Sequence, residues 1–198
     1  MKKILLSQRV DVIERYKERR DAMDQRWPCL LYEAGFIGLP VFNHAETLIA
    51  ALKSTQFDGI LLSGGNSHAE YGGNAPERDN ADKILLSHAA EKKIPLLGVC
   101  RGMQSIVLYF GGSLHKVSAH VSVRHDIGAG RNVNSYHEYS PELLPDALEA
   151  LGKSGDGEIE YIKHKSLPIT GIMWHPERET PFSSGDINLI KTVFEGKQ

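Results

Sequence analysis

The sequence of 198 residues has little of several features that would place it in a special class of protein. Its two cysteines, Cys29 and Cys100, are too few for a disulfide framework and suit a reducing compartment. Apolar runs are short, which predicts neither a signal peptide nor a membrane span. The net charge of −2 offers no basic surface for nucleic acid or an anionic membrane. We therefore expect a cytoplasmic protein that binds neither nucleic acid nor membrane.

Internal repeats, low-complexity segments and linkers are missing too, which predicts a single domain over residues 1–198. Strand-like and helix-like segments alternate in the first half, as in a parallel sheet with helices on both faces. After residue 112 the segments become shorter and are separated by turns, which is typical of antiparallel strands. The predicted fold is a three-layer α/β domain with a mostly parallel central sheet and an antiparallel extension.

Apolar spacing and cap residues give the predicted elements. Strands are expected at residues 4–6, 36–41, 59–62, 94–99, 121–127, 131–134, 147–151, 158–162 and 169–174, with a turn at 128–130. Helices are expected at residues 13–34, 44–54, 79–92, 103–110 and 186–194. Asn43 and Glu46 predict a capping box, Asp186 is expected to cap the last helix, and Cys29 is expected to pack in the first helix.

Cys100 lies in the most informative segment of the chain. Gly98 and Gly102 flank it in G-x-C-x-G spacing, between a predicted strand and a predicted helix. This is the pattern of a nucleophile elbow with sulfur in place of the hydroxyl group. The glycines permit a sharp turn, and the N-terminus of the following helix favours the thiolate. The alternative is a buried structural cysteine.

A cysteine nucleophile needs a base, and His175 is a candidate at the end of a predicted strand. Glu177 follows two residues later and is suited to orient the imidazole. The carboxyl ends of parallel strands meet at one edge of a sheet, so His175 is expected to lie near Cys100. The alternative is a surface histidine, one of nine in the chain.

Acyl transfer also needs backbone N–H groups aimed at the developing oxyanion. The N–H of Arg101, directly after the cysteine, is one candidate. Gly65, in the glycine pair that follows the strand at 59–62, is the other. The alternative is a plain glycine turn, and the segment is not a phosphate loop because no Gly-Lys-Ser/Thr follows.

Four motifs, in their order and spacing, resemble those of the class I glutamine amidotransferase superfamily and its free-standing γ-glutamyl hydrolase branch. They are Ser-Gly-Gly (63–65), Gly-Val-Cys-Arg-Gly-Met-Gln (98–104), Val-Asn-Ser-Tyr-His (133–137) and Trp-His-Pro-Glu (174–177). The resemblance also includes residues 75–79 and 156–160 and covers nearly the whole chain. It implies a flavodoxin-like fold, Cys100 as nucleophile, His175 as base, Glu177 as its orienting group, and an oxyanion hole from Gly65 and Arg101.

The same resemblance implies how the glutamyl group is held. Its α-amino and α-carboxylate ends are expected on Gln104 and on Asn134, Ser135, Tyr136 and His137. The loop after the glycine pair lacks the proline that amidotransferase subunits usually have, which favours a free-standing hydrolase. The expected partner is a small-molecule γ-glutamyl substrate, no cofactor is expected, and no particular oligomeric state is predicted.

Residues 7–11 and 16–21, with Trp27, more narrowly resemble the hydrolases that act on γ-glutamyl-CDP-amidate in capsule phosphoramidate synthesis. Arg9, on the edge where ligands bind, is expected to anchor the diphosphate. Further donors are expected from Arg78, Arg101, His120, Arg124 and His125. Three alternatives stay open: a glutaminase subunit that supplies ammonia to a synthetase partner, a hydrolase of another γ-glutamyl amine, and a catalytically silent ligand-binding domain.

A group of histidines invites a metal site, namely His115, His120, His125 and His137. Their spacing fits no common zinc pattern, and no cysteine lies nearby in the sequence. No metal is therefore expected.

Overall fold

The computed structural model describes residues 1–128 and 130–196. In chain order, the elements are β1 (Lys2–Leu6), β2 (Arg9–Ile13), β3 (Glu18–Ala22), α1 (Arg26–Glu33), β4 (Phe36–Pro40), α2 (Ala45–Ser54), β5 (Gly59–Leu62), α3 (Pro76–Lys92), β6 (Leu96–Val99), α4 (Arg101–Tyr109), β7 (Ser113–Lys116), β8 (Val121–Asp126), β9 (Asn132–Tyr136), β10 (Tyr139–Leu143), β11 (Leu148–Lys153), β12 (Ile159–His164), β13 (Ile169–Ile172) and α5 (Ser184–Glu195). None of the described helices is long and apolar enough to cross a membrane.

A seven-stranded sheet in the order β11-β12-β13-β6-β5-β1-β4 forms the centre of the fold. The pairs from β13 through β6, β5 and β1 to β4 are parallel, whereas β11, β12 and β13 pair antiparallel. The five parallel strands have the 2-1-3-4-5 order of flavodoxin-like folds. The predicted mostly parallel sheet with an antiparallel extension is confirmed.

Two glycines show which helices cover one face of the sheet. A Cβ on Gly59 would lie 2.5 Å from the ring of Phe194 in α5, and one on Gly38 would lie 3.1 Å from Leu31 in α1. Both glycines are register partners of Ile4, so they point to the same face. The helices α1 and α5 therefore share one side of the sheet.

Helix α4 covers the opposite face. Gly98 and Gly171 are register partners, and a Cβ on either would meet a side chain of α4, Ile106 or Met103. The same α4 packs against α3, which packs against α2. The fold thus has the three layers that the sequence predicts, and both faces of the sheet are buried as is usual for parallel strands.

The single helix predicted at residues 13–34 is wrong. Instead, the hairpin β2–β3 precedes α1. A single 3₁₀ turn (Glu14–Tyr16) and Lys17, which has a left-handed φ of 52°, connect the two strands of this hairpin. Val10 and Val12 alternate with polar residues in β2, a period of two that favours a strand. Pro28 is incompatible with the middle of a long helix but is tolerated in the first turn of α1, where it lies.

Three smaller expectations are also wrong. Asn43 does not cap α2, because its amide donates to the Gln8 carbonyl and to the Asp21 carboxylate. Asp186 lies inside the first turn of α5, where it is buried and accepts from the indole of Trp174. Cys29 is exposed rather than packed.

The remaining elements match their predicted positions within a few residues. The exceptions are β7 and β10, which pair with each other and were not predicted, and α3, which begins at Pro76 instead of residue 79. Pro at the first position of a helix is favourable because its missing N–H would have no partner there. The turn predicted at residues 128–130 includes position 129, which lies outside the described residues.

Candidate active site

Cys100 occupies a sharp turn between β6 and α4. Its φ of 50° and ψ of −105° are unusual for a residue with a side chain, and its N–H donates to the Ile172 carbonyl at 2.7 Å. A Cβ on Gly98 would lie 2.5 Å from the Gly102 carbonyl oxygen, and one on Gly102 would lie 2.2 Å from the Leu62 carbonyl oxygen. Glycine is needed at both flanking positions because the backbones approach so closely.

The side chains of Cys100, His175 and Glu177 are brought together. Nδ1 of His175 lies 2.7 Å from Oε1 of Glu177, and the same imidazole hydrogen-bonds the Cys100 sulfur. Both His175 and Glu177 are 2% exposed. Asn134 fixes the backbone of His175 from both sides, since its Oδ1 accepts from the His175 N–H and its Nδ2 donates to the His175 carbonyl, each at 2.8 Å.

The environment of His175 favours the imidazolium. Burial by itself lowers the pKa of His175, but the negative charge of the Cys100 thiolate and the hydrogen bonds to Cys100 and Glu177 raise this pKa to about 10. At neutral pH the imidazole of His175 therefore carries a proton beside the Cys100 sulfur.

The glycine loop after β5 lies against this pair. A Cβ on Gly64 would be 2.6 Å from Cε1 of His175, and Gly65 has a left-handed φ of 88°. Arg78, fully buried, holds the loop by donating to the carbonyls of Ser63 at 2.6 Å, Gly64 at 2.9 Å, and Gly65. Arg78 was expected to contact the leaving group, but instead it stabilises the conformation of this loop.

Arg101 is the first residue of α4, where backbone N–H groups have no partner within the helix. Its buried side chain forms ion pairs with the partly exposed Asp79 and the buried Asp82. The backbone of Arg101 can therefore serve an oxyanion, whereas its guanidinium is not a donor for substrate. Asp79 and Asp82 had no assigned role in the sequence because nothing local reveals their partner.

Two cavities adjoin His175 and share three residues, Gly65, His175 and Arg178. We call the first the acyl cavity. It has a volume of about 220 Å³ and is also lined by Asn66, Ser67, Cys100, Gln104, Tyr136, His137, Glu138 and Tyr139. We call the second the distal cavity. It has a volume of about 280 Å³ and is also lined by Arg9, Asp11, Ala22, Met23, Asp24, Trp27, Ser63, Gly64 and Glu177.

The residues predicted to bind the glutamyl group divide into two sets. Gln104, Tyr136 and His137 line the acyl cavity, together with Glu138, which the sequence did not single out. Asn134 and Ser135 do not line this cavity. Asn134 holds the backbone of His175, as described above, and the hydroxyl of Ser135 donates to the His120 carbonyl.

The distal cavity lies at the point where the strand order reverses, between the ends of β1 and β5. In open α/β sheets this is the usual position of a ligand. Arg9 lies there, with its Nε 2.7 Å from Oδ1 of Asp11 and about half of its side chain exposed. The guanidinium of Arg178 stacks 4.3 Å from the ring centre of Tyr136 and gives the cavity a second positive charge that the sequence did not predict.

The other residues expected to donate hydrogen bonds to a diphosphate do not line the distal cavity. Arg78, Arg101, His120, Arg124 and His125 line neither cavity. Arg124 bonds Asn132 and Glu179 instead, and the two histidines belong to a separate cluster.

The fold and this site define a class of protein, and comparison with known families agrees. The model of the family "Glutamine amidotransferase class-I" matches residues 31–187, and the chain belongs to this family. The chain is 32% identical to the γ-glutamyl-CDP-amidate hydrolase of Campylobacter jejuni, with 96% of each chain covered.

Two further similarities come from other members. The chain is 28% identical to the γ-glutamyl-γ-aminobutyrate hydrolase of Escherichia coli O157:H7, with 80% of this chain and 79% of the relative covered. Among solved structures, a glutamine amidotransferase from Thermotoga maritima superimposes with a TM-score of 0.65 at 15% identity, covering 98% of this chain and 84% of that one. This structural likeness supports the fold alone.

Proposed function

We propose that this chain is a cysteine-dependent hydrolase that cleaves γ-glutamyl amides and releases glutamate. The observation that carries the proposal is the buried contact of Cys100, His175 and Glu177 at the edge of the sheet. Relatives named as hydrolases of two different γ-glutamyl amides support it. A silent binding domain would have no need of a strained cysteine hydrogen-bonded to a buried histidine.

The mechanism follows from these positions. The Cys100 thiolate attacks the γ-carbonyl carbon, and the N–H groups of Gly65 and Arg101 stabilise the tetrahedral oxyanion. His175 gives its proton to the leaving nitrogen, which breaks the amide bond and leaves a glutamyl thioester. The neutral imidazole then takes a proton from water, whose oxygen attacks the thioester. Glutamate leaves, and the thiolate and imidazolium are restored. Glu177 keeps Nδ1 protonated and stabilises the positive charge throughout.

We assign the acyl cavity to the glutamyl group. Gln104, Tyr136 and the backbone of His137 face it, and the carboxylate of Glu138 is suited to the α-ammonium group. Arg178 is placed to receive the α-carboxylate. Asn134 and Ser135 act through the residues that they hold.

We assign the distal cavity to the leaving group, and we propose γ-glutamyl-CDP-amidate as the substrate, with cytidine diphosphoramidate as the product. The extent of the similarity to the Campylobacter enzyme supports this choice. Arg9 offers a half-exposed guanidinium whose only partner among the described side chains is Asp11, so a diphosphate can take the place of that carboxylate.

The test is the release of glutamate by the purified protein alone from a panel of substrates. The panel contains glutamine, a γ-glutamyl amine, a γ-glutamyl peptide and γ-glutamyl-CDP-amidate. We expect fast turnover of γ-glutamyl-CDP-amidate, lost in Cys100→Ala and kept in the control Cys29→Ser, whose thiol is exposed and lines neither cavity.

Each other result has a definite meaning. Faster turnover of a γ-glutamyl amine or peptide would keep the hydrolase and overturn the proposed leaving group. Turnover of glutamine alone, rising when a synthetase partner is added, would replace the hydrolase by a glutaminase subunit. Equal activity in wild type and Cys100→Ala would refute the mechanism.

A further inference from the structure

A second group of chemically reactive side chains contains one residue that lines the acyl cavity, His137, but none of the three residues Cys100, His175 and Glu177. It consists of His120 before β8, His125 in β8, His137 between β9 and β10, and Glu160 in β12. One nitrogen or oxygen from each residue lies within 4.8 Å of all the others. His120, His137 and Glu160 are at most 3% exposed. We call this set the histidine cluster.

The contacts on the outside of the cluster fix which nitrogens carry protons. Nδ1 of His137 lies 3.1 Å from the Tyr139 carbonyl oxygen, which only accepts, so Nδ1 is the donor. Nε2 of His120 lies 2.9 Å from the carboxylate of Asp156, so Nε2 is the donor there. In the neutral rings, the nitrogens that face inward therefore carry no proton and are acceptors. These nitrogens are Nδ1 of His120 and Nε2 of His137.

These inward atoms crowd together without a donor between them. Nδ1 of His120 is 3.2 Å from Nε2 of His137, and Oε1 of Glu160 is 3.1 Å from the latter and 3.6 Å from the former. Two further buried atoms, Nε2 of His125 and Oε2 of Glu160, have no hydrogen-bond partner among the described residues. Buried acceptors that converge in this way are costly unless a cation lies between them.

We infer that the histidine cluster is a binding site for a divalent transition-metal ion, and that Zn²⁺ is the ion it prefers. Three imidazole nitrogens and one carboxylate oxygen are a four-coordinate zinc set, and nitrogen ligands disfavour Mg²⁺ and Ca²⁺. Asp156 and the Tyr139 carbonyl supply the outer hydrogen bonds that orient metal-binding histidines.

Four protein ligands leave no open coordination position, so the site is structural. It joins the β8–β9 hairpin and the β9–β10 turn to β12 of the central sheet. The residues between β9 and β10 form a wall of the acyl cavity, and the ion thereby stiffens this wall without entering the reaction. The spacing of the histidines concealed the site because Glu160 lies in a strand that is distant in sequence.

The experiment measures metal binding directly, in a Cys29→Ser, Cys100→Ala background that removes both thiols as ligands. After dialysis against a chelator, the protein is titrated with Zn²⁺ against a chromophoric competitor, and with Co²⁺ to record the visible bands of tetrahedral coordination. We expect a single ion per chain. We expect His125→Ala to weaken Zn²⁺ binding at least a hundredfold, and Asp156→Asn to weaken it by roughly 10- to 100-fold. The control His44→Ala removes an exposed histidine outside the cluster and should bind as the background does.

Thermal unfolding provides a second readout that is independent of catalysis. Zn²⁺ should raise the Tm of the background protein and of His44→Ala, but not that of His125→Ala, because a ligand stabilises the state that binds it. Absence of Zn²⁺ binding, or equal binding by His125→Ala and His44→Ala, would overturn the inference and leave a proton-bridged histidine cluster. Neither outcome bears on Cys100, so this inference and the proposed hydrolase fail or stand separately.

Discussion

The backbone of Gly64 lies against the imidazole of His175, so the substitution Gly64→Ala tests the geometry of the site directly. The added Cβ would lie 2.6 Å from Cε1 of His175, whereas ordinary contacts begin at 3.4 Å. Gly64 does not have a positive φ, so this clash is the whole effect of the substitution. The loop cannot retreat easily, because the buried Arg78 holds its carbonyls from behind.

The ring of His175 must therefore move by about 0.8 Å, against its 2.7 Å hydrogen bond to Glu177. A misplacement of about 1 Å in a catalytic group can cost on the order of 100-fold in rate. We expect kcat/KM for the γ-glutamyl substrate to fall by roughly 10- to 100-fold. Overpacking of this kind costs about 1–3 kcal/mol of unfolding free energy, so Tm should fall by several degrees while the protein stays folded.

The assay compares Gly64→Ala with Gly185→Ala, a control in the first turn of α5 whose new Cβ has only an ordinary contact at 3.5 Å. Glutamate release gives kcat/KM, and iodoacetamide alkylation gives the reactivity of Cys100. Both proteins carry Cys29→Ser, because the exposed Cys29 thiol would also be alkylated. Full activity and an unchanged alkylation rate in Gly64→Ala would refute the placement of His175 against the loop.

Two further predictions concern the charges of the site. Because the pKa of His175 is raised to about 10, kcat/KM should persist in alkaline solution and fall as the pH rises through about 10, where the imidazolium loses the proton that it gives to the leaving nitrogen. In Glu177→Gln the fall of kcat/KM should begin at lower pH. If wild type and Glu177→Gln lose activity over the same alkaline pH range, the assigned role of Glu177 is wrong. Arg9→Ala should lower kcat/KM for a diphosphate-bearing conjugate by roughly 3- to 30-fold without affecting a simple γ-glutamyl amine. Arg20→Ala is the matched control, since its guanidinium makes the same 2.7 Å contact to a carboxylate two residues away, and equal turnover of the conjugate by both variants would disprove the anchor.

Several features of the fold could be predicted because their signals are local. Apolar runs bounded by glycine and proline marked the parallel strands, and the G-x-C-x-G spacing around Cys100 marked the elbow. The prediction failed at residues 13–34, where charged and apolar residues suit both a helix and a hairpin. There the pairing of β2 with β3, a tertiary contact, decided the outcome.

Side chains whose partners are distant in sequence escaped prediction. Arg78 and Arg101 were expected to reach the substrate, as exposed arginines do, and both are buried on partners 12–22 residues away. Glu138 and Arg178 entered the site only through the shape of the acyl cavity. The domain prediction for residues 1–198 stays a prediction.

By itself, the sequence determined the sheet, the strained turn at Cys100 and the presence of His175 and Glu177 at a strand end. Short-range sterics and hydrophobic periodicity set these features, and both are written in consecutive residues. Only the tertiary structure decided that the imidazole of His175 lies against Gly64, and that Arg78 hydrogen-bonds the carbonyls of the glycine loop. It also decided that Glu160 lies beside three histidines. Such contacts form where separate segments pack, so their geometry depends on the whole core and not on any one stretch of chain.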